Sequence, residues 1–163
     1  MNRVFVCRSL PGSGKSFLVD NMTKNMAPNE FVVCCADDYL TINGQYVWSP
    51  ERAGAAHIKC YRKFLESLIQ KIPNVFLANT NLVWSQFKDY VKYANLAGYE
   101  VHLIRPKTWW RNCVEVCYIM NSHGLTYEKL EMMKSRMQTD EEIARFAREN
   151  LDIEIYYQGK VTS

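Results

Sequence analysis

Short apolar runs alternate with longer amphipathic stretches along the chain. The apolar runs are rich in β-branched and aromatic residues, as buried strands are; they lie at Val4–Val6, Phe31–Cys35, Asn74–Ala78, Tyr99–Ile104 and Ile153–Tyr157. Several are continuously apolar, which is typical of strands that are covered on both faces. The pattern therefore predicts an α/β fold, with a parallel sheet of about five strands and helices on both faces.

Helices are predicted between these strands, where apolar residues recur at helical spacing. One begins at Lys15, and another follows Ser49-Pro50, because serine caps helices and proline suits the first helical position. Further helical patterns are found at Trp84–Ala94, Trp110–Asn121, Thr126–Met137 and Asp140–Asn150. No repeat or linker interrupts the chain, so we expect residues 1–163 to form a single domain.

The first strand runs directly into a glycine-rich turn that is followed by a helix. The turn matches the end of the phosphate-binding pattern G-x-x-x-x-G-K-[ST], although Ser9 stands where the first glycine is expected; the matching residues are Pro11, Gly12, Ser13, Gly14, Lys15 and Ser16. Backbone N–H groups at a helix N-terminus bind anions. Lys15 adds a positive charge for the β- and γ-phosphates, and the Ser16 hydroxyl can ligate Mg²⁺. These residues predict a site for nucleotide phosphates and Mg²⁺.

Polar residues also follow the second and third predicted strands. Asp37 and Asp38 come after the second strand, and Asn79-Thr80-Asn81 ends the third. Ligands of parallel α/β sheets bind at the carboxyl ends of the strands, so these clusters are expected beside the glycine-rich turn. A carboxylate there could accept the proton of an attacking hydroxyl or hold the hydration shell of Mg²⁺. Adjacent acids rarely share one role, and one of the two is expected to be structural.

Phosphoryl transfer also needs positive charge on the moving phosphoryl group. The helical region of about residues 107–137 is where a lid is expected, and it contains several basic residues. Arg111 and Arg136 are the candidates for phosphate contacts. Cys113, Cys117 and His123 lie in the same region, but their spacing matches no zinc pattern, and free cysteines commonly pack as small apolar residues.

The composition adds little to this interpretation. The chain has 163 residues, of which 48% are hydrophobic and 23% charged, with a net charge of +3. This mild positive excess is compatible with a nucleic-acid partner but does not require one. No apolar run is long enough to cross a membrane and no signal peptide is visible, so we expect a cytoplasmic protein without membrane partners. Nothing in the sequence indicates an oligomeric state.

A set of motifs in a fixed order resembles one branch of the P-loop kinases. The motifs are RSLPGSGKS, ADDY, ANTNL, NLAGYEVHLIRPKTWWRNC and NSHGLTYEKLEMM, which together extend to about Met137. They are similar to those of the 5′-hydroxyl polynucleotide kinases. That branch includes the phage polynucleotide kinase domain and the P-loop domain fused to the 2′,3′-cyclic-nucleotide phosphodiesterase of myelin. The resemblance implies the P-loop kinase fold.

The same resemblance implies an activity and its residues. Lys15 and Ser16 would bind ATP and Mg²⁺, and Asp37 would be the base that takes a proton from a nucleic-acid 5′-hydroxyl. The phage-type kinase has an arginine where Leu40 stands, and lid arginines in the segment that reads Ile119–Gly124 here. Two alternatives therefore stay open: an ATP-binding module without transfer chemistry, and a kinase for a small molecule such as a nucleoside. Aromatic residues could stack a base in either kinase; they are Tyr39, Tyr46, Trp48, Trp109 and Trp110.

Overall fold

The computed structural model describes residues 1–158 of the chain. The strands are β1 (Arg3–Cys7), β2 (Phe31–Cys34), β3 (Thr41–Ile42), β4 (Gln45–Tyr46), β5 (Asn74–Leu77), β6 (Glu100–Ile104) and β7 (Ile155–Tyr157). The helices are α1 (Lys15–Thr23), α2 (Pro50–Ile69), α3 (Lys88–Leu96), α4 (Val114–Met120), α5 (Tyr127–Arg136) and α6 (Asp140–Leu151). Short 3₁₀ turns at Ala36–Tyr39 and Trp84–Gln86 complete the regular structure.

A parallel five-stranded sheet organises the fold, with the strand order β2-β5-β1-β6-β7. The central strand β1 pairs with β5 on one side and β6 on the other, so that Val4 lies opposite both Val75 and Val101. Since parallel strands end at a common edge, the loops after β1, β2 and β5 meet there. These loops carry the glycine-rich turn, the two aspartates and the Asn-Thr-Asn segment. The predicted α/β fold is confirmed.

Helices cover both faces of the sheet, as predicted. Val4 and Val6 of the central strand are fully buried on one face, in the main core. Helices α2, α3 and α6 pack on that face; their buried residues include Phe64, Tyr90, Val91, Ile143 and Ala147. Phe5 points to the opposite face, because side chains alternate along a strand. There it stacks on Phe76, with a ring-centroid distance of 4.8 Å, in a cluster that includes Val19 of α1.

Two predicted helices are shorter than their apolar patterns suggested. The pattern at Trp110–Asn121 forms a helix only from Val114, because Trp110 is drawn into a turn in which its indole N–H donates to the Gly12 carbonyl. The pattern at Trp84–Ala94 is divided by Phe87, whose φ of −138° interrupts the helical backbone before α3 begins. Phe87 is fully buried, so packing in the core outweighs a continuous helix here.

The hairpin of β3 and β4 was not predicted from the sequence. Its strands are two residues long, and the turn between them is Asn43-Gly44, with φ values of +50° and +79°. Positive φ at both central residues defines the type I′ turn, for which Asn-Gly is the strongest sequence signal. The hairpin matters for the site because it brings Tyr46 beside Asp37.

The last strand pairs within the same chain. Strand β7 runs parallel to β6, with Val101 opposite Ile155 and Leu103 opposite Tyr157. It begins two residues later than the pattern from Ile153 predicted, because the Ile153 N–H bonds back to the Ala147 carbonyl of α6. Within residues 1–158, no helix is both long and apolar enough to span a lipid bilayer.

Truncation of the core residue Phe64 should destabilise the fold. Its ring is fully buried and packs edge-on against Tyr90, with a ring-centroid distance of 4.9 Å. We expect Phe64→Ala to lower the free energy of unfolding by about 3–5 kcal/mol, measured by urea denaturation. Ile69→Ala, in the same helix but at a position that is 79% exposed, is the control and should change it by about 0.5 kcal/mol or less. Equal losses in both variants would contradict the assignment of this core.

Candidate active site

The glycine-rich turn is folded tightly before helix α1 begins. The Ser13 N–H and hydroxyl both donate to the Leu10 carbonyl, at 3.2 and 2.6 Å. Gly12 and Gly14 have φ values of +81° and +105°, which a residue with a Cβ rarely adopts. Helix α1 then starts at Lys15, as predicted, with Gly14 at its N-cap.

The turn is fastened to the segment that leads into α4, which we call the lid root (residues 106–113). The Thr108 hydroxyl donates to the Ser13 carbonyl at 2.6 Å, and the Trp110 indole N–H donates to the Gly12 carbonyl at 3.1 Å. A Cβ on Gly12 would lie 2.3 Å from the Cys117 carbonyl oxygen, and one on Gly14 would lie 2.8 Å from Thr108 Cγ2. Both glycines therefore permit a close approach as well as a positive φ.

The backbone N–H groups of the turn remain available to a ligand. Those of Gly12, Gly14, Lys15 and Ser16 donate to no protein acceptor within residues 1–158. They lie at the positive end of α1, which attracts anions. This donor set fits a phosphate group, and the Ser16 hydroxyl, which is exposed at the cavity, fits a Mg²⁺ ligand.

Lys15 and Asp37 line the same cavity, whose volume is about 230 Å³. Other residues of its wall include Gly12, Ser16, Thr80, Trp110 and His123. Among the described residues that line it, Lys15 is the only lysine or arginine.

Burial raises the pKa of Cys7 to about 11, while the nearby charge of Lys15 acts in the opposite direction. The Cys7 thiol therefore stays protonated at neutral pH, as part of the core rather than as a nucleophile.

Asp37 is positioned by the 3₁₀ turn after β2. The side-chain oxygen of Asn79 accepts a hydrogen bond from the Ala36 N–H at 2.9 Å and so holds the start of that turn against β5. Asp37 is half-buried at the cavity, whereas Asp38 is exposed and does not line it within the described chain. Of the two adjacent acids, the structure therefore places at the cavity Asp37, the one that the resemblance implies as the base.

Both oxygens of the Asp37 carboxylate have neighbours from other elements. The Tyr46 hydroxyl donates to Oδ1 at 3.5 Å, and His123 Nε2 lies 3.4 Å from Oδ2. Burial and then the charge of Asp37 raise the pKa of the Tyr46 phenol, so it stays protonated and can donate this bond at neutral pH. The rings of Tyr46 and His123 are in contact, with centroids 4.1 Å apart.

His123 is the site residue that the sequence did not identify. It lies between α4 and α5, in the segment where the phage-type kinase has lid arginines, and from the sequence it was considered only as a zinc ligand beside Cys113 and Cys117. The signal that could have identified it is its place in the predicted lid, which must face the phosphates. No pattern in the sequence, however, indicates contact with Asp37, because residues 37 and 123 meet only through the fold.

The two arginines proposed from the sequence do not line this cavity. Arg111 is exposed, and its Nη1 donates to the Pro106 carbonyl at 3.2 Å. Arg136 is the last residue of α5 and is exposed. The structure therefore does not bring either guanidinium together with Lys15 and Asp37. Their roles as phosphate contacts stay predictions that would require the lid to move.

A different arginine, Arg8, links the segments around the site. It is 0% exposed and donates to the backbone carbonyls of Asn81, Leu82 and Gln138. Its Nη1 also forms an ion pair with Asp140 at the start of α6. Burial lowers the pKa of Arg8 while Asp140 opposes that change, and the guanidinium stays charged because its ordinary value is so high.

In the Asn-Thr-Asn segment after β5, Asn81 has a structural role and Thr80 lines the site. Asn81 has a φ of +50°, and its side-chain amide donates to the Cys7 carbonyl at 2.8 Å, which holds β1 and β5 together where they end. Thr80 lines the cavity of Lys15 and also a second cavity of about 520 Å³ between α2 and α3. Tyr61 and Asp89 are part of the second wall. The two cavities therefore adjoin at Thr80.

A known protein is similar to this chain in sequence. No protein-family profile matches the chain. A human relative, NEDD4-binding protein 2, is 34% identical over 131 residues, which are 80% of this chain but only 7% of that protein. The chain thus spans a small part of this relative's length.

Two solved structures share the architecture. A chain of the Pnkp1/Rnl/Hen1 RNA repair complex has a TM-score of 0.61, with 14% identity over 94% of this chain and 47% of that one. A candidate kinase from Chloroflexus aurantiacus has a TM-score of 0.55, with 15% identity over 83% of this chain and 76% of that one. The chain has the P-loop kinase fold, as predicted. The more specific resemblance to the phage-type branch stays a prediction.

The contact between the glycine-rich turn and α4 should make Gly12 intolerant of a side chain. We expect Gly12→Ala to lower the free energy of unfolding by about 1–3 kcal/mol, because the backbone is strained at positive φ and the new Cβ overlaps the Cys117 carbonyl. Gly54→Ala is the control, since this glycine lies within α2 with open space around it, and alanine there should add about 0.5–1 kcal/mol. Urea denaturation of both variants measures the difference, and an unchanged Gly12→Ala protein would show that the turn and α4 are not packed together.

Proposed function

We propose that this chain is a kinase that transfers the γ-phosphoryl group of ATP to the 5′-hydroxyl of a polynucleotide. The observation that carries the proposal is the shared cavity, in which a phosphate-binding turn, Lys15 and the carboxylate of Asp37 face one another. A phosphate site alone would suit any nucleotide-binding protein. A carboxylate beside it supplies what a hydroxyl acceptor needs, namely a base.

Each residue has a defined part in the transfer. The N–H groups of residues 12–16 and the Lys15 ammonium bind the β- and γ-phosphates and stabilise the charge that develops on them. Mg²⁺, held by the Ser16 hydroxyl, would neutralise charge between these phosphates when bound. Asp37 accepts the proton of the acceptor hydroxyl. The hydroxyl oxygen then forms a bond to the γ-phosphorus, the bond from that phosphorus to the β,γ-bridging oxygen breaks, and ADP leaves.

A polynucleotide is the acceptor that the comparisons support. One structural neighbour belongs to an RNA repair complex, and the motif set resembles kinases that act on 5′-hydroxyl ends. The second cavity adjoins the first at Thr80, and its wall contains Tyr61, a ring on which a base could stack. A small-molecule kinase would use the same cavity, and comparing nucleosides with oligonucleotides as acceptors separates these alternatives.

A nucleotide-binding module without transfer chemistry is the second candidate, and one observation favours it. Among the described residues around the cavity, Lys15 is the only lysine or arginine, whereas phosphoryl transfer usually employs a further cation. Such a module would bind ATP through Lys15 and phosphorylate no acceptor. The transfer experiment therefore decides between the two candidates.

Substitution of Asp37 should abolish most of the transfer activity. The assay follows label from γ-labelled ATP to matched 5′-hydroxyl RNA and DNA oligonucleotides in the presence of Mg²⁺. We expect Asp37→Asn to lower kcat by about 10²–10⁴-fold, because the amide cannot accept the proton, while the affinity for ATP changes little. Lys15→Ala should lose both transfer and ATP binding.

Asp38→Asn is the matched control for this substitution. It makes the same chemical change one residue away, on an exposed side chain that does not face the described cavity, and should keep the wild-type rate. Equal activity of wild type and Asp37→Asn would show that Asp37 is not the base. Lys15-dependent ATP binding without labelling of any oligonucleotide or nucleoside would establish the binding module instead.

A further inference from the structure

His123 lies at the proposed active site, but the transfer step described above gives it no role. It is carried by the loop between α4 and α5, and its ring lines the cavity that contains Lys15. Its Nε2 lies 3.4 Å from Asp37 Oδ2, and its ring rests on Tyr46. An imidazole N–H is a good donor to a phosphate oxygen, and this one belongs to the lid.

Each oxygen of the Asp37 carboxylate already has a neighbour, so an acceptor hydroxyl would compete with these neighbours for the base. Tyr46 donates to Oδ1, and His123 faces Oδ2. Tyr46 comes from the hairpin, which is paired within itself, whereas His123 comes from a connection between two helices. His123 is therefore the neighbour whose departure would expose an oxygen of Asp37 to the cavity.

The ring of His123 also has one nitrogen without a hydrogen-bond partner in its present position. Its Nδ1 atom is buried and has no hydrogen-bond partner among the described residues. A buried polar atom without a partner destabilises the arrangement that contains it, so a position of the ring in which Nδ1 has a partner would be more favourable. Gly124, the next residue, has a φ of +69°, and a Cβ added there would meet open space.

We propose that His123 is the lid residue that contacts the terminal phosphate of bound ATP. When it donates to that phosphate, it gives up Oδ2 of Asp37, which becomes free to accept the proton of the acceptor hydroxyl. Binding of the donor nucleotide and exposure of the base are thereby coupled through one side chain. This role rests on the proposed kinase function. It also supplies a phosphate contact from the lid although, within residues 1–158, no arginine lines the cavity.

The experiment compares ATP with ADP, because these nucleotides differ by the terminal phosphate alone. Affinities are measured by calorimetry in Mg²⁺ for wild type, His123→Ala and His123→Arg. We expect His123→Ala to weaken ATP about tenfold or more and ADP about twofold or less, because only ATP loses a charge-assisted hydrogen bond. His123→Arg should keep the preference for ATP, since a guanidinium also donates to phosphate.

His102→Ala is the matched control. The His102 side chain is 27% exposed, like that of His123, and it also lies beside a carboxylate, with Nε2 3.3 Å from Glu100 Oε1. It lies on β6, with its ring between those of Phe5 and Tyr156, and does not line the described cavity. Its substitution should leave both affinities unchanged. Thermal unfolding of each variant shows whether the protein is still folded.

The outcomes separate this inference from the proposed function. Equal weakening of ATP and ADP in His123→Ala, no weakening of either, or an Arg variant as poor as the Ala variant would overturn the phosphate contact. Labelled transfer at the wild-type rate in His123→Ala would leave the kinase intact and refute the coupling. An ATP-selective loss without transfer to any acceptor would support the contact and refute the kinase. Absence of nucleotide binding by wild type would refute both.

Discussion

The buried charge of Arg8 is the interaction on which the geometry of the site depends. A guanidinium without exposure must have all its donors engaged, since an unpaired buried charge costs several kcal/mol. Its acceptors come from the chain after β5 and from Gln138 and Asp140, where the chain passes from α5 into α6. Arg8 itself directly follows β1 and begins the approach to the glycine-rich turn. The segment after β1, the segment after β5 and the start of α6 can therefore satisfy this charge only when they are assembled together. The glycine-rich turn is thereby fixed relative to both the sheet edge and the start of α6.

The edge of the sheet supplies the second constraint, because it sets the distance between the glycine-rich turn and Asp37. The turn follows β1 and Asp37 follows β2, but β5 lies between these strands. Asn79 and Asn81 bridge the gap: the Asn79 side chain accepts from the turn that carries Asp37, and the Asn81 side chain donates to the end of β1. Two amides of one short segment thus fix the positions of the glycine-rich turn and of Asp37 on two sides of the cavity. This explains why the segment is polar although Asn81 is buried.

The parts that the sequence predicted are those whose signals are local. Strand runs, the helix start at Lys15 and the glycine-rich turn follow from neighbouring residues, and all are present. Trp110 was predicted to be helical because periodicity does not reveal that its indole bonds to Gly12. The choice between Asp37 and Asp38 depends on which side of a 3₁₀ turn faces the cavity. The contact of His123 with Asp37 joins positions far apart in the chain, so only the assembled fold could show it.

The attachment of the glycine-rich turn to the lid root has an evolutionary consequence. Thr108 and Trp110 bond to the carbonyls of Ser13 and Gly12, and the space beside Gly14 is filled by Thr108. A larger residue in the turn would have to be accompanied by a smaller one in the lid root, and loss of the indole would leave a carbonyl without its donor. Positions 12–14 and 108–110 should therefore covary among related sequences and be inherited as one unit, although nearly a hundred residues separate them along the chain.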